Sequence, residues 1–544
     1  MFRCVLVISL FIYAHSDLFS ALCKLQELLR EEEKLQLSLN RYITSIEENG
    51  QDVPPEITRF SKSLKARRLE IGDGTKYIEH PINDFHLLYR FVVEWQSVFD
   101  NIWCETCEVT NAAKDFNFTV QIVHKHLGLW PSMYDMDGAS HALLRLWKVY
   151  KLNLDDFING KVQNYTADQP LSDEQVLIVT QYADNNKEDY SEMKWLEALY
   201  RRLQKQDGFS RNDSFVIRIA RALAASFYKL GISKKSVLLL EPFQSLGHRG
   251  ITRDIAFYRS SVSNKGNATI TEPEPRDPMY EALCRGDQKT AIELSKLRCF
   301  WRKTIVPYYR GKEEVVNYEP RISLFHDVIS PTYIDLLKSI AQKGFTRSTV
   351  FLEGKGPNGE TVYGKVDDVR ISQTCWIGTD EYPELAKLEN RIKLLTGLSA
   401  AYKLQRSHSE KFQVLNYGVG GMYTVHYDNT KFTLWTPPNP LDPDDIRTSG
   451  DRMATWMFYL NDVKLGGATV FPEVKARVPV AKGGAAFWYN MKLSGAEDLR
   501  TLHAGCPVLI GSKWVSNKWI REEGKVFKRL CGLTEDATEN LPTS

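Results

Sequence analysis

From Leu18 to Ile43 the apolar residues recur at helical spacing, at Leu18, Leu22, Leu25, Leu29, Leu35, Leu39 and Ile43, around the charged run Arg30-Glu-Glu-Glu-Lys34. That stripe predicts an amphipathic helix. The step from Leu29 to Leu35 breaks a strict heptad, so a coiled-coil seam and a packing face within a helical domain are both open readings. Pro54-Pro55 ends the unit, and helical periodicity resumes over residues 84–95. Beyond about Pro320 the pattern changes to short runs rich in aromatic and β-branched residues. These are Phe412-Gln-Val-Leu-Asn-Tyr417, Ala454-Thr-Trp-Met-Phe-Tyr-Leu460, Ala485-Ala-Phe-Trp-Tyr-Asn490 and Trp514-Val-Ser-Asn-Lys-Trp519. Glycine pairs at 420–421, 466–467 and 483–484 punctuate them, which predicts a many-stranded β domain with tight turns, a sandwich or short barrel of the jelly-roll type.

Between these regions, from about Ala139 to Phe243, the spacing predicts pairs of helices. Leu171-Ser-Asp-Glu174 offers side chains that satisfy the free amides of a first turn, and helices follow over residues 175–183, 190–203, 215–229 and 234–240. Ala224-Ala-Ser-Phe-Tyr-Lys-Leu-Gly231 has the small-to-aromatic pattern and turn glycine of a tetratricopeptide-like unit. An array this short needs other helices to cap it. Residues 244–280 are polar and include Glu272-Pro-Glu-Pro-Arg-Asp-Pro278, which reads as a linker.

Composition narrows the class. The chain has 544 residues, 43% of them hydrophobic, and a net charge of +2, which excludes a disordered chain and a protein basic over its whole surface of the kind that coats nucleic acid. Arg3, the apolar run Cys4-Val-Leu-Val-Ile-Ser-Leu-Phe-Ile-Tyr13 and the small residues of Ala14-His15-Ser16 have the layout of a secretory signal. The mature chain is expected to begin near Asp17, soluble in a secretory compartment, since no apolar stretch reaches membrane length. Sequons at Asn117, Asn164, Asn212 and Asn267 agree with that address. The terminal Leu541-Pro-Thr-Ser544 is not a retrieval tetrapeptide, so residence in the endoplasmic reticulum would need a partner.

The candidate chemistry lies in the β region. His426-Tyr-Asp428 closes a strand-like run, and residues two apart on an extended chain face the same side. His503 follows 75 positions after Asp428 (503 − 428) in Arg500-Thr-Leu-His-Ala-Gly-Cys506. Two histidines and a carboxylate form the facial triad of non-haem Fe(II) oxygenases. Zinc hydrolysis uses the same ligand set and is the competing chemistry, and a satisfied strand histidine is the plain alternative for His426. Lys513, ten positions after His503 (513 − 503), could anchor the distal carboxylate of a 2-oxo dicarboxylate whose other end chelates the metal.

Five motifs occur in order: Asn416-Tyr-Gly-Val-Gly-Gly421 before His426, Gly466-Gly-Ala-Thr-Val-Phe-Pro472, Ala486-Phe-Trp-Tyr-Asn490, His503-Ala-Gly-Cys-Pro507 and Lys513-Trp-Val-Ser-Asn-Lys-Trp519. Together they closely resemble the catalytic domain of the collagen prolyl 4-hydroxylase alpha subunit family. Upstream, His80-Pro-Ile-Asn83 with Val93-Glu-Trp95, His141-Ala-Leu-Leu-Arg-Leu146, Tyr280-Glu-Ala-Leu-Cys-Arg-Gly286 and Pro320-Arg-Ile-Ser-Leu-Phe-His-Asp327 extend the resemblance over nearly the whole chain.

The resemblance implies a multidomain α+β protein, with a signal peptide over 1–16 and a helical dimerisation domain over 17–135. A tetratricopeptide-like peptide-binding domain would follow over 136–250, then a linker over 251–319, a double-stranded β-helix (jelly-roll) dioxygenase domain over 320–535 and a tail over 536–544. His426, Asp428 and His503 would bind Fe(II). Lys513 would bind 2-oxoglutarate, with Tyr417 adding a hydrogen bond or, equally, packing in the core. The reaction would hydroxylate C4 of a peptidyl proline with O2 while 2-oxoglutarate is decarboxylated to succinate, and ascorbate would keep the iron reduced. The family implies an endoplasmic-reticulum tetramer of two alpha subunits with two copies of protein disulfide isomerase, acting on collagen-like chains.

Of the aromatic residues on the helical region, Tyr182, Tyr190, Tyr200 and Tyr228, the last matches the family's peptide-binding motif and ranks first, and Tyr182 is the next candidate. Removal of Cys4 with the signal leaves eight cysteines. The resemblance pairs Cys284 with Cys299 and Cys506 with Cys531 and leaves Cys23, Cys104, Cys107 and Cys375 unassigned; Cys104-Glu-Thr-Cys107, which has a redox motif's spacing without its context, reads as a candidate local or helix-linking bridge. Asn429-Thr-Lys-Phe-Thr-Leu-Trp-Thr-Pro-Pro-Asn-Pro440 is longer and richer in proline than the family pattern and reads as a lid that bears on substrate choice. His124, His126 and His408 read as surface residues. Two rivals stay open: hydroxylation of another secreted proline-rich protein, and a non-catalytic peptide-binding subunit of the same fold.

Overall fold

A computed structural model describes residues 18–537 apart from 72–73, 104–109, 129, 248, 263–270, 356–360, 366–368, 405, 430–447, 526–528, 530 and 535–536. The expected signal and tail, Cys104-Glu-Thr-Cys107, Asn267 and nearly all of the expected lid lie outside these residues.

The amphipathic stripe is a helix over Leu22–Glu48. It buries Leu25, Leu28, Leu35 and Leu39 in the chain's own helical core, against helices Asn111–Leu127 and Pro81–Tyr89. Those leucines form a packing face, and no partner helix is needed to cover them. Within the charged run Glu32 is also buried. It accepts from Arg90 Nε at 2.7 Å and Nη2 at 2.8 Å, with Trp95 Nε1 at 3.4 Å. Removing either partner would leave a buried charge, at a cost of about 3–5 kcal/mol. Pro55 opens the next helix, Pro55–Ile71, where its missing N–H is not needed.

The predicted helix pairs are present as Asp173–Asn185, Asp189–Gln204, Ser214–Lys229 and Ser233–Gln244. Ser172 caps the first in a capping box with Gln175. The linker expected over 251–319 is not one. A helix, Arg249–Val262, packs on Ser233–Gln244 and buries Ile251, Ile255 and Tyr258. Those three residues share one face, a stripe that the surrounding polar residues hide in the sequence. Strands Cys299–Lys303 and Arg310–Asn317 already belong to the main sheet of the carboxy-terminal half.

That half contains two larger sheets. One has nine strands in the order Cys299–Lys303, Arg310–Asn317, Ile322–His326, Ala485–Tyr489, Arg452–Tyr459, Lys513–Arg521, Phe412–Tyr417, Gln373–Ile377 and Thr346–Arg347. The other has five, in the order Ala476–Val478, Thr469–Phe471, His503–Gly505, Met422–His426 and Arg370–Ile371. The aromatic runs read from sequence are the central strands of the larger sheet, buried but for the half-buried Tyr489 because helices cover one face and the smaller sheet's residues the other. No helix among the described residues is long and apolar enough to cross a membrane.

The expected cysteine pairs are corrected. Cys284 bonds to Cys506 across 222 residues, and Cys299 and Cys531 are exposed free thiols. Helix Pro278–Arg285 packs Tyr280, Leu283 and Cys284 against Ala468, Val470 and Ala504, which brings Cys284 to the strand end below His503. Cys299 instead sits on the outer edge of the larger sheet. Peptide mapping without reduction should recover Cys284 joined to Cys506, and Cys506→Ser should cost about 2–4 kcal/mol of stability. A Cys506 to Cys531 peptide would overturn the pairing.

Candidate active site

Strand Met422–His426 runs antiparallel to His503–Gly505, and His426 and His503 are direct cross-strand partners. Their ring centroids lie 4.3 Å apart. Asp428, two residues beyond His426, turns its carboxylate to the same point: Oδ1 is 3.9 Å from His426 Nε2 and Oδ2 is 3.6 Å from His503 Nε2. The three ligand atoms all lie within 4.8 Å of one another, and among the described residues no other such cluster occurs.

Both imidazoles are oriented in the same way. His426 Nδ1 lies 2.8 Å from the carbonyl of Thr424, and His503 Nδ1 lies 3.0 Å from the carbonyl of Thr501. A carbonyl only accepts, so Nδ1 carries the proton and Nε2 presents its lone pair to the cluster. Burial, and then the neighbouring His503, push the His426 imidazole well below its ordinary pKa, which keeps it in the neutral form a metal requires. Burial alone would raise Asp428, but His503, His426, Arg452 and a hydroxyl outweigh it and hold the carboxyl below its usual range.

That hydroxyl is Thr455 Oγ1, which donates to Asp428 Oδ2 at 2.6 Å and is itself met by Asn490 Nδ2 at 3.0 Å. Arg452 braces the same loop. It pairs with Glu410 through two nitrogens, at 2.6 and 2.9 Å, lies 3.6 Å from the Trp519 ring centroid and donates to the Asp428 carbonyl at 3.3 Å. Thr455→Val should weaken metal binding by about 10–100-fold, measured by competition with a Mn(II) chelator. Unchanged affinity would show that the hydroxyl does not orient the carboxylate.

Lys513 enters the same pocket from the larger sheet, 4% exposed. Burial alone pulls its ammonium down to about 7. Its Nζ donates to Thr469 Oγ1 at 3.3 Å, and among the described residues no carboxylate pairs with it. A buried cation without a counter-charge is costly unless a ligand supplies one. Tyr417 is the cross-strand partner of Lys513, buried and lining the pocket, with its ring centroid 5.8 Å from Nζ. Trp488 and Phe471 pack on His503 at 4.8 and 5.6 Å between centroids, and Tyr423 stacks on His426 at 3.5 Å.

The structure thus brings together His426, Asp428, His503, Lys513 and Tyr417. It does not bring Tyr182 or Tyr228 there. Tyr182 stacks on His141 at 5.6 Å between centroids, and Tyr228 packs with Phe257 at 5.1 Å and Tyr258 at 5.5 Å, all in the helical region. Tyr190 is half-buried beneath Lys194, and Tyr200 is buried. Asn164 and Asn212 are exposed on turns, whereas Asn117 is half-buried on a helix. His124 and His126 are exposed, but His408 is not a surface residue: it is half-buried, hydrogen-bonded to Ser399 Oγ at 2.8 Å and close-packed against Gly524.

Thr455, Arg452 and Thr469 were not legible as site residues. Thr455 looks like any strand threonine, and only its alternation with Met457 marks the pocket face. Thr469 lies inside the motif Gly466-Gly-Ala-Thr-Val-Phe-Pro472, and its hydroxyl accepts from both Lys513 and, at 3.1 Å, Tyr459.

Comparisons with known proteins agree with this geometry. Residues 21–164 match the family described as prolyl 4-hydroxylase alpha-subunit, N-terminal region, and residues 412–521 match the 2OG-Fe(II) oxygenase superfamily. The second span holds all of His426, Asp428, His503 and Lys513. The chain is 31% identical to prolyl 4-hydroxylase subunit alpha-1 of Homo sapiens over 96% of its own length and 97% of that protein. It is 30% identical to subunit alpha-2 of Caenorhabditis elegans over 99% and 98%, and 30% identical to subunit alpha-1 of Gallus gallus over 96% and 100%.

Proposed function

We propose, because this chain belongs to the prolyl 4-hydroxylase alpha-subunit family, that it hydroxylates C4 of proline in collagen-like X-Pro-Gly peptides. The chain is a 2-oxoglutarate- and Fe(II)-dependent dioxygenase. The observation that carries the reading is the buried His426, Asp428 and His503 cluster facing a buried lysine that has no carboxylate partner.

The donor set fits Fe(II): two neutral imidazoles with their second nitrogens anchored, and one carboxylate, leave other coordination positions open for a chelating 2-oxo acid and O2. When bound, the iron would supply the redox chemistry that couples decarboxylation of 2-oxoglutarate to succinate with oxygen insertion. In this reading Lys513 and Tyr417 bind the distal carboxylate, and the Lys513 ammonium neutralises it in a dry pocket. Thr455 and Arg452 hold Asp428 in place. Trp488, Phe471 and Tyr423 pack around the ligands and exclude water.

The finer assignments belong to the same proposal. The two facing sheets are read as a double-stranded β-helix, and the helix pairs as a tetratricopeptide-like unit over 136–250 that captures proline-rich chains in their preformed extended helix. Tyr228 and Tyr182 are its candidate contacts. Residues 17–135 would dimerise, and protein disulfide isomerase would complete a tetramer in the endoplasmic reticulum lumen. Asn164 and Asn212 would carry glycans, and ascorbate would restore oxidised iron.

The test is release of carbon dioxide from 2-oxoglutarate by the chain co-expressed with the isomerase, across collagen-like and other proline-rich peptides. Stimulation by Pro-Pro-Gly repeats is expected. Stimulation only by other peptides would move the substrate, and no release would make the chain a binding subunit.

A further inference from the structure

Two glycines of the catalytic half, Gly418 and Gly420, have no room for a side chain because the helical region occupies that space, and Gly466 is enclosed by the Pro507 carbonyl and Leu509 amide of its own half together with Tyr150. A Cβ on Gly420 would lie 2.8 Å from the Ala142 side chain, one on Gly466 would lie 2.7 Å from the Tyr150 hydroxyl, and one on Gly418 would run into the Ser20 carbonyl. Val419, Leu509 and Ile510 are buried in the helical core. Apart from Gly466, these residues fall on two segments. The turn 418–421 leads into His426, and the segment 507–511 leads from His503 to Lys513. The two segments bond to each other, Gly420 N–H to Val508 O at 2.8 Å and Val508 N–H to Gly421 O at 3.1 Å.

Helix Met133–Tyr150 holds both. Arg145 Nη1 donates to the Gly420 carbonyl at 2.9 Å, and the Tyr150 hydroxyl donates to the Pro507 carbonyl. The Gly511 N–H donates to the Glu79 carbonyl at 2.8 Å, and Glu79 pairs with Lys464. One turn from Arg145, the same helix carries His141, which stacks on Tyr182.

We propose that Arg145 and Tyr150 are positioning residues for the metal and 2-oxoglutarate ligands, so that the helical region, besides its proposed capture of peptide, forms part of the support of the catalytic centre. Arg145 fixes the turn that launches His426. Tyr150 fixes the segment that launches Lys513.

The inference rests on the Fe(II) and 2-oxoglutarate reading and not on the peptide substrate, so the test uses no peptide. In the full-chain complex, Mn(II) and 2-oxoglutarate binding are titrated for the parent chain, Tyr150→Phe, Arg145→Met and Arg145→Lys. Failure of the parent to bind either would fault the cofactor reading itself. Tyr150→Phe should raise the 2-oxoglutarate dissociation constant about 2- to 10-fold, and Arg145→Met should raise that of Mn(II) by a similar factor. Arg145→Lys, which keeps a donor, should recover most of the loss. Hydrogen exchange should quicken in residues 418–426 and 506–513 of both damaged variants, a readout that holds even where yield is low. Parent-like binding, or parent-like exchange in those two segments, would overturn the proposal.

Discussion

Replacing His426 by alanine is expected to reduce 2-oxoglutarate turnover with a Pro-Pro-Gly peptide by more than about 100-fold, since the loss of a direct ligand should exceed the 10–100-fold typical of the groups that merely orient ligands. The imidazole is one of three donors converging within 4.8 Å, and its Nε2 is freed for ligation by the Nδ1 bond to Thr424. Asp428 and His503 would remain, but two donors do not form the open facial set. Assembly should survive, because the strand's backbone still pairs with His503–Gly505 and Arg370–Ile371. Carbon dioxide release and Mn(II) titration on the same preparation check both halves. Retained turnover would sink the triad assignment.

The second large effect is expected at Lys513. Removing one member of a buried charge pair costs about 3–5 kcal/mol, so Lys513→Met should raise the 2-oxoglutarate KM by about 10²- to 4 × 10³-fold. The pH dependence follows from a lysine held at about 7 by burial. Above that pH the ligand-free lysine is neutral, and binding a carboxylate must recover the proton. Affinity should therefore fall about tenfold per pH unit above about 7, and not in Lys513→Met. Stability of the ligand-free chain moves the other way. Between about 7 and the ordinary 10.5, the unfolded lysine holds a proton that the folded one has lost, so this group makes folding more favourable as pH rises. Below about 7 the folded chain bears an uncompensated buried charge, and Lys513→Met should melt higher there than the parent. Equal melting temperatures and an unchanged KM would show that Lys513 is neither buried as a free cation nor the anchor.

Much of this could be read locally. The strand Phe412–Tyr417 and the capping box at Ser172 have the limits that the apolar run and first-turn chemistry predict, because both are set by residues a few positions apart. The four site residues were legible for a related reason: ligand chemistry belongs to the side chain, and the two-residue step from His426 to Asp428 fixes their common side on any extended strand.

What was not legible depends on elements that meet only in three dimensions. Glu32 looked like one of a solvated run until Arg90 reached it from another helix. Gly418 and Gly420 read as turn punctuation, and only the packing of Ser20 and of Ala142 from helix Met133–Tyr150 makes them points of close approach. The hydroxyl of Thr455 acquires a role only where its strand passes Asp428. The sequence by itself determined which residues are the candidate metal ligands and most of the segments that form helices or strands, because periodicity and side-chain type act over short range. The tertiary structure alone decided which cysteines join, which charge is buried and which helix braces the site. Those outcomes depend on contacts between residues tens to hundreds of positions apart, and no local pattern specifies them.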